Sequence, residues 1–228
     1  MKQNKYYQEI IERICHEIQP YAREGKQADY IPALAKVNPD QFGIYLSLMN
    51  GEDCMYGDYD TNFSIQSISK VFSLAIALSI KGKELWERIG KEPSGTAFNS
   101  LVQLEYEHGI PRNPFINAGA IVLADILLSY LENPARFFIR FVRELCGNEA
   151  IDYSPDVAES EIGCCYHNAS IAYLLKHHGN LENDVILHDV LRGNELQGSV
   201  KSIPCLCAKR PAIFLCGCRA KRLQSETY

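Results

Sequence analysis

No apolar stretch in this 228-residue chain approaches the roughly 18 residues that a membrane-spanning helix needs, so no segment reads as a membrane span. No internal repeat appears, which argues against an architecture of stacked repeat units. Met1 to Tyr7 lead into an amphipathic pattern and not into the apolar core of a signal peptide, so a cytoplasmic protein is expected. Basic charge is scarce over most of the length. Of 23 basic and 28 acidic side chains, residues 190–228 hold seven and two, which leaves 16 and 26 for residues 1–189. The body is therefore −10 and the tail +5. A body of that sign repels phosphate backbones, and nucleic acid is not an expected partner.

A disulfide framework is also missing, although there are nine cysteines. Cys15, Cys54, Cys146, Cys164 and Cys165 are scattered, as free thiols are in a reducing compartment. The other four form Cys205-x-Cys207 and Cys216-x-Cys218. Their one-residue spacing departs from the usual two to four of structural zinc sites, so zinc is a reading on paper only, and neither metal nor cofactor is expected.

What is present is an ordinary soluble balance, 46% apolar and 22% charged, enough for one sizeable domain. Tyr7, Ile10, Ile11, Ile14 and Ile18 predict one face of a helix that Pro20 stops. Gly43 to Met49, then Asn50-Gly51, then Asp53 to Gly57 predict a β-hairpin. An apolar helix is expected from about Ser64 to Ile80, ending near Gly82. Residues 91–120 read as loop-rich, and further helices are expected over about 118–131, 134–146 and 168–178.

Ser67 and Lys70 are the chain's one Ser-x-x-Lys, at the start of that apolar helix. Residues three apart on a helix share a face, so an amine at 70 can reach a hydroxyl at 67. A lysine among apolar neighbours gives up its charge readily and can then take the serine proton. The helix N-terminus favours an alkoxide or oxyanion nearby. Serine and lysine are common enough that about one such pair arises by chance in a chain this long, so the surroundings must decide.

Those surroundings are ordered runs: Asp29-Tyr30-Ile31-Pro32, Gln66-Ser67-x-x-Lys70, Glu92-Pro-Ser-Gly95-x-x-Phe98-Asn99, Asn113-Pro114-x-x-Asn117-Ala-Gly-Ala-Ile121, and Ser160-Glu161 with Asn168. On these the chain resembles the serine-dependent glutaminases, amidohydrolases of β-lactamase-like fold. The resemblance implies an α/β fold, a β-lactamase/transpeptidase-like mixed sheet with helices. It also implies hydrolysis of L-glutamine to glutamate and ammonia through a serine acyl-enzyme, with no cofactor, in a homo-oligomer. Ser67 would carry the γ-glutamyl ester and Lys70 would be its base. Tyr30, Asn117, Glu161 and Asn168 would line the glutamine pocket, with Tyr30 also near the chemistry. A carboxylate such as Glu161 suits the amino acid's ammonium, and neutral amides suit the remainder.

Plainer readings stand beside these. Asn117 and Asn168 each sit at a helix start and could be caps. Glu161 could be a solvated acid in a polar loop, and Tyr30 a core aromatic. β-lactamases and penicillin-binding proteins share the Ser-x-x-Lys geometry. The lack of an export signal and the Asn113 to Ala120 context speak against them.

The resemblance covers about residues 5–189, and a glutaminase-like domain is expected over 1–189. From 190 the sequence turns Cys- and Arg-rich, with no tyrosine between Tyr173 and Tyr228, and reads as an irregular tail of out-of-frame or alternatively spliced origin. The fold is then expected to be incomplete at its C-terminus. The strand holding Ile44, Leu46 and Leu48 would keep an open edge, and an oxyanion donor and two pocket tyrosines would be missing. Low turnover is expected of such a chain. The rival is a non-enzymatic remnant whose basic tail serves as an interaction module, with Cys205, Cys207, Cys216 and Cys218 as zinc ligands.

Overall fold

A computed structural model describes residues 2–22, 24–183 and 200–202. The four tail cysteines lie outside the described residues. Two compact units are present, the first holding residues of 1–63 and 143–150, the second residues of 64–142 and 151–201.

In the first unit, helix α1 (Lys2–Ile18) packs on a hairpin of β1 (Gly43–Ser47) and β2 (Asp53–Gly57). The hairpin is antiparallel, with Gly43 opposite Gly57 and Ser47 opposite Asp53. The expected turn is present at Asn50-Gly51, where Asn50 Oδ1 accepts the Glu52 amide at 3.0 Å. Ile11, Cys15 and Cys54 form the core, and Tyr7, Ile44, Leu46 and Leu48 pack against it. The buried face of α1 is thus rotated from the expected one, because Ile14 and Ile18 are exposed. Cys15 takes their place: a thiol is a small apolar group in packing terms. Among the described residues this sheet has two strands.

The second unit is built around helix α5 (Asn117–Tyr130), which is apolar on every side and buried continuously from Ala118 to Leu127. Helices α2 (Ser69–Lys81) and α8 (Tyr166–His177) pack against it. Ile121, Leu123, Ile126 and Leu127 are fully buried, each contributing about 1.5–3 kcal/mol relative to exposure. The short α3 (Leu85–Arg88) follows α2, α4 (Leu101–Tyr106) lies on α8, and α6 (Pro134–Cys146) buries Phe138 edge-on to Phe72. Helix α7 (Pro155–Ile162) precedes α8. Helices α2, α6 and α8 are followed by Gly82, Gly147 and Gly179, each at positive φ, as the sequence leads one to expect.

Three elements differ from expectation. Helix α4 lies inside the stretch read as loop. Ser100 caps it by accepting the Gln103 amide, but six residues are too few to show a period. Helix α7 carries Glu161 in a segment read as polar loop. Strand β5 (Val200–Ser202) lies in the tail read as irregular, pairing antiparallel with β4 (Asp152–Tyr153) so that Tyr153 faces Val200. With β3 (Phe63–Ser64) these give a small sheet in the order β3-β5-β4. Strands of two or three residues leave no alternation to read.

One carboxylate sits in the apolar centre of α5. Asp125 is wholly buried and accepts from Arg88 Nη2 at 2.6 Å, from the amides of Glu182 and Asn183 at 3.1 Å, and from Asn183 Nδ2 at 2.7 Å. Asn180 braces Arg88, accepting from its Nε and donating to its carbonyl. Burial is the largest influence on Asp125 and raises its pKa. The bonds from Arg88, Asn183 and the two amides together outweigh it, so the carboxyl titrates below its ordinary value. Among the described residues no helix is long and apolar enough to cross a membrane.

Candidate active site

The serine and lysine are placed by a backbone feature. Gln66 adopts φ +45°, a conformation costly for a residue with a side chain, and its Nε2 donates to Ser64 Oγ at 2.9 Å. A residue at positive φ cannot continue a right-handed helix. The regular helix therefore starts at Ser69, later than the expected Ser64, and Gln66–Ile68 form a 3₁₀ turn. Ser67 thus lies in the 3₁₀ turn and Lys70 in the first turn of α2. Ser67 is exposed, whereas Lys70 is 8% exposed.

Lys70 Nζ donates to Phe115 O at 3.0 Å and to Asn117 Oδ1 at 2.9 Å. Asn117 Nδ2 in turn donates to Asn168 Oδ1 at 3.0 Å. Lys70, Asn117 and Asn168, on α2, α5 and α8, are thereby joined in one chain of hydrogen bonds. Asn117 is the first residue of α5 and makes this contact instead of capping, since the capping position is Ile116. Asn168 is the third residue of α8 and likewise no cap. Glu161 is 5% exposed on α7, which removes the solvated-loop reading. Tyr30, in the first unit, is 71% exposed and no core aromatic.

The loop before α5 supplies what residue-type reasoning passed over. Asn113 Oδ1 accepts the amides of Phe115 and Ile116, and its Nδ2 donates to Glu92 O at 2.9 Å. This fold of the chain presents the Phe115 carbonyl to Lys70. The signal available in sequence was Asn-Pro, a turn initiator. Gly119 lets α5 come up against that loop: a Cβ there would stand 2.1 Å from Asn113 O and 2.8 Å from Pro114 Cα. Asn117 N donates to Phe98 O, and His167 meets Asn99 O, so the 92–99 run closes on the same place.

A profile of the glutaminase family matches residues 25–206. This chain belongs to the glutaminase family. The match runs beyond Asp189, where the recognisable motifs end, and takes in β5. A glutaminase of Vibrio cholerae is 52% identical over 194 residues, covering 84% of this chain and 63% of the relative. One of Saccharophagus degradans is 50% identical over 179 residues, covering 78% and 58%. The solved structure of a probable glutaminase, ybaS, superposes with a TM-score of 0.71 at 33% identity over 78% of this chain and 57% of that one. A probable Bacillus subtilis glutaminase gives 0.73 at 28% identity, covering 89% and 61%. The expected α/β class, helices with a small sheet in the β-lactamase-like manner of glutaminases, is the one found. The chain spans about three-fifths of the length of the curated glutaminases it matches.

Proposed function

We propose that the chain acts on L-glutamine, releasing ammonia and glutamate through an ester on Ser67. The observation that carries this reading is the hydrogen-bonded line from buried Lys70 through Asn117 to Asn168, beside an exposed serine. Ser67 Oγ attacks the side-chain amide carbon while the Lys70 amine takes the hydroxyl proton. The same proton then leaves with the amide nitrogen as ammonia. Water, deprotonated by the amine, cleaves the ester to glutamate. Phe115 O and Asn117 Oδ1 hold the amine in one place through the cycle, which is the value of two neutral acceptors over one. Glu161 holds the substrate ammonium, and Asn117 and Asn168 take its remaining polar groups. The oxyanion lies toward the N-terminal amides of α2.

The same reading includes a homo-oligomer, to be checked by light scattering, and a cytoplasmic location, in keeping with described cysteines that are all free thiols. The test is ammonia release from L-glutamine by the chain and by Ser67→Ala. Release by the chain that falls to a trace in the variant supports the ester route, and release that survives the substitution refutes it. Glutamine binding without any release would make the chain a remnant. Stoichiometric acylation of Ser67 by a labelled penicillin would move it to the β-lactam-recognising class.

A further inference from the structure

Helices α7 and α8 are joined by Gly163, Cys164 and Cys165, two adjacent thiols between Glu161 and Asn168. We propose that Cys164 and Cys165 form a dithiol site for monosubstituted trivalent arsenic, and that occupying it disturbs the turn linking Glu161 to Asn168. The described cysteines fall into two groups. Cys15, Cys54 and Cys146 are 3%, 0% and 3% exposed. Burial pushes the Cys15 and Cys54 thiols up, with Glu12 adding to the first and Asp53 and Glu52 to the second, which withholds the reactive thiolate. Cys164 and Cys165 are only half-buried.

Both sulfurs bond to the same helix end. Cys164 Sγ donates to Ser160 O at 3.0 Å and lies 3.5 Å from Glu161 O, and Cys165 Sγ donates to Ile162 O at 3.1 Å. Those acceptors are three consecutive carbonyls of the last turn of α7, so both thiols sit over one helix end. Two thiols are too few for a tetrahedral metal, and no group of three or more His, Cys, Asp or Glu that could hold a metal ion occurs among the described residues. They suffice for an aryl-arsenic(III), whose organic group fills its third position and whose soft centre prefers sulfur. The step is a condensation without electron transfer. The As=O bond and two S–H bonds break, two As–S bonds form, and the oxygen leaves with both thiol hydrogens as water.

The bound arsenic would take both sulfurs away from the carbonyls that now hold them. Cys165 O accepts the Ala169 amide at 2.9 Å in the first turn of α8, and Cys164 N donates to Glu161 O at 3.1 Å. Movement at either cysteine therefore reaches Glu161 and Asn168, and through Asn168 the Asn117–Lys70 line. This second half rests on the function proposed above; the dithiol itself does not.

The probe is phenylarsine oxide, applied to the full 228-residue chain and followed by intact mass and peptide mapping, because the tail carries four further cysteines. One phenylarsenic is expected on the peptide containing Cys164 and Cys165, stable to 2-mercaptoethanol and released by 2,3-dimercaptopropanol. Cys164→Ser and Cys165→Ser should each lose that adduct while keeping the parent's circular dichroism and unfolding midpoint. An unmodified 164–165 peptide in the folded chain, or an adduct that survives either single substitution, overturns the proposal. Glutamine binding by calorimetry should weaken roughly tenfold or more on labelling, as the loss of one charge-assisted hydrogen bond at a displaced Glu161 would give. It should not weaken in the two serine variants. Unchanged binding in the labelled chain refutes the coupling to the turn. An adduct on a chain with no glutamine binding at all leaves the dithiol standing and overturns the proposed function.

Discussion

Replacing Asp125 by alanine should cost this protein more than any change at its surface. The carboxylate is wholly buried in α5 and satisfies Arg88 Nη2, the amides of Glu182 and Asn183, and the Asn183 side chain. Removing it leaves a guanidinium that is 14% exposed with Glu182 as its remaining ion pair, and two part-buried amides without this acceptor. Breaking a buried pair from one side costs about 3–5 kcal/mol, against a total stability of about 5–15 kcal/mol. At about 2–4 °C per kcal/mol for a chain of this size, the midpoint should fall by about 6–20 °C. The cost should also depend on pH. The folded carboxyl titrates below its unfolded value, so it contributes stability that is present above the unfolded pKa of about 3.9 and is lost as pH falls through the folded value. Thermal unfolding followed by circular dichroism at pH 7 and at successively lower pH checks both points. The gap between parent and Asp125→Ala should narrow once the medium is more acidic than about pH 4. A midpoint within about 2 °C of the parent at pH 7, or a gap that widens in acid, would refute the reasoning.

Gly119→Ala places a methyl group 2.1 Å from Asn113 O and 2.8 Å from Pro114 Cα, both backbone atoms that cannot swing aside, and should destabilise by about 1–3 kcal/mol in urea titration. Asn113→Ala removes the acceptor for the Phe115 and Ile116 amides and the donor to Glu92 O. It should cost about 1–3 kcal/mol and lower glutamine turnover more than glutamine affinity, because its effect passes through the carbonyl that holds Lys70. Lys70→Met should leave the fold's circular dichroism unchanged and abolish ammonia release, and retained release would remove Lys70 from the role of base.

How much of this was legible in residues alone differs from element to element. The hairpin, α1 and the long helices α2, α5 and α6 follow from periodicity and from turn residues, because a helix or strand of several turns repeats its pattern often enough to be read. The ordered motifs around Ser67, Asn117 and Glu161 pointed to the family, and the family is the one found. Local pattern also misled in places: the buried face of α1 uses Cys15 where Ile14 and Ile18 were expected, and α4, α7 and β5 were too short to leave a period.

Tertiary structure alone decided the rest. Lys70 finds its acceptors on residues 45 and 47 positions away, and Asn117 finds Asn168 51 positions away. The buried Arg88–Asp125 pair spans 37 positions, and Asn180 joins it from 92 positions beyond Arg88. Contacts of that range leave no local trace, since an asparagine that caps a helix and one that holds a lysine are the same letter at the same place. The positive φ of Gln66 is similar: nothing in glutamine announces it, and it persists because the structure on either side of it over-determines the backbone. Sequence thus determined the family to which the chain belongs. Packing of α2, α5 and α8 decided that Lys70, Asn117 and Asn168 meet, because only the approach of three helices brings their side chains within hydrogen-bonding distance.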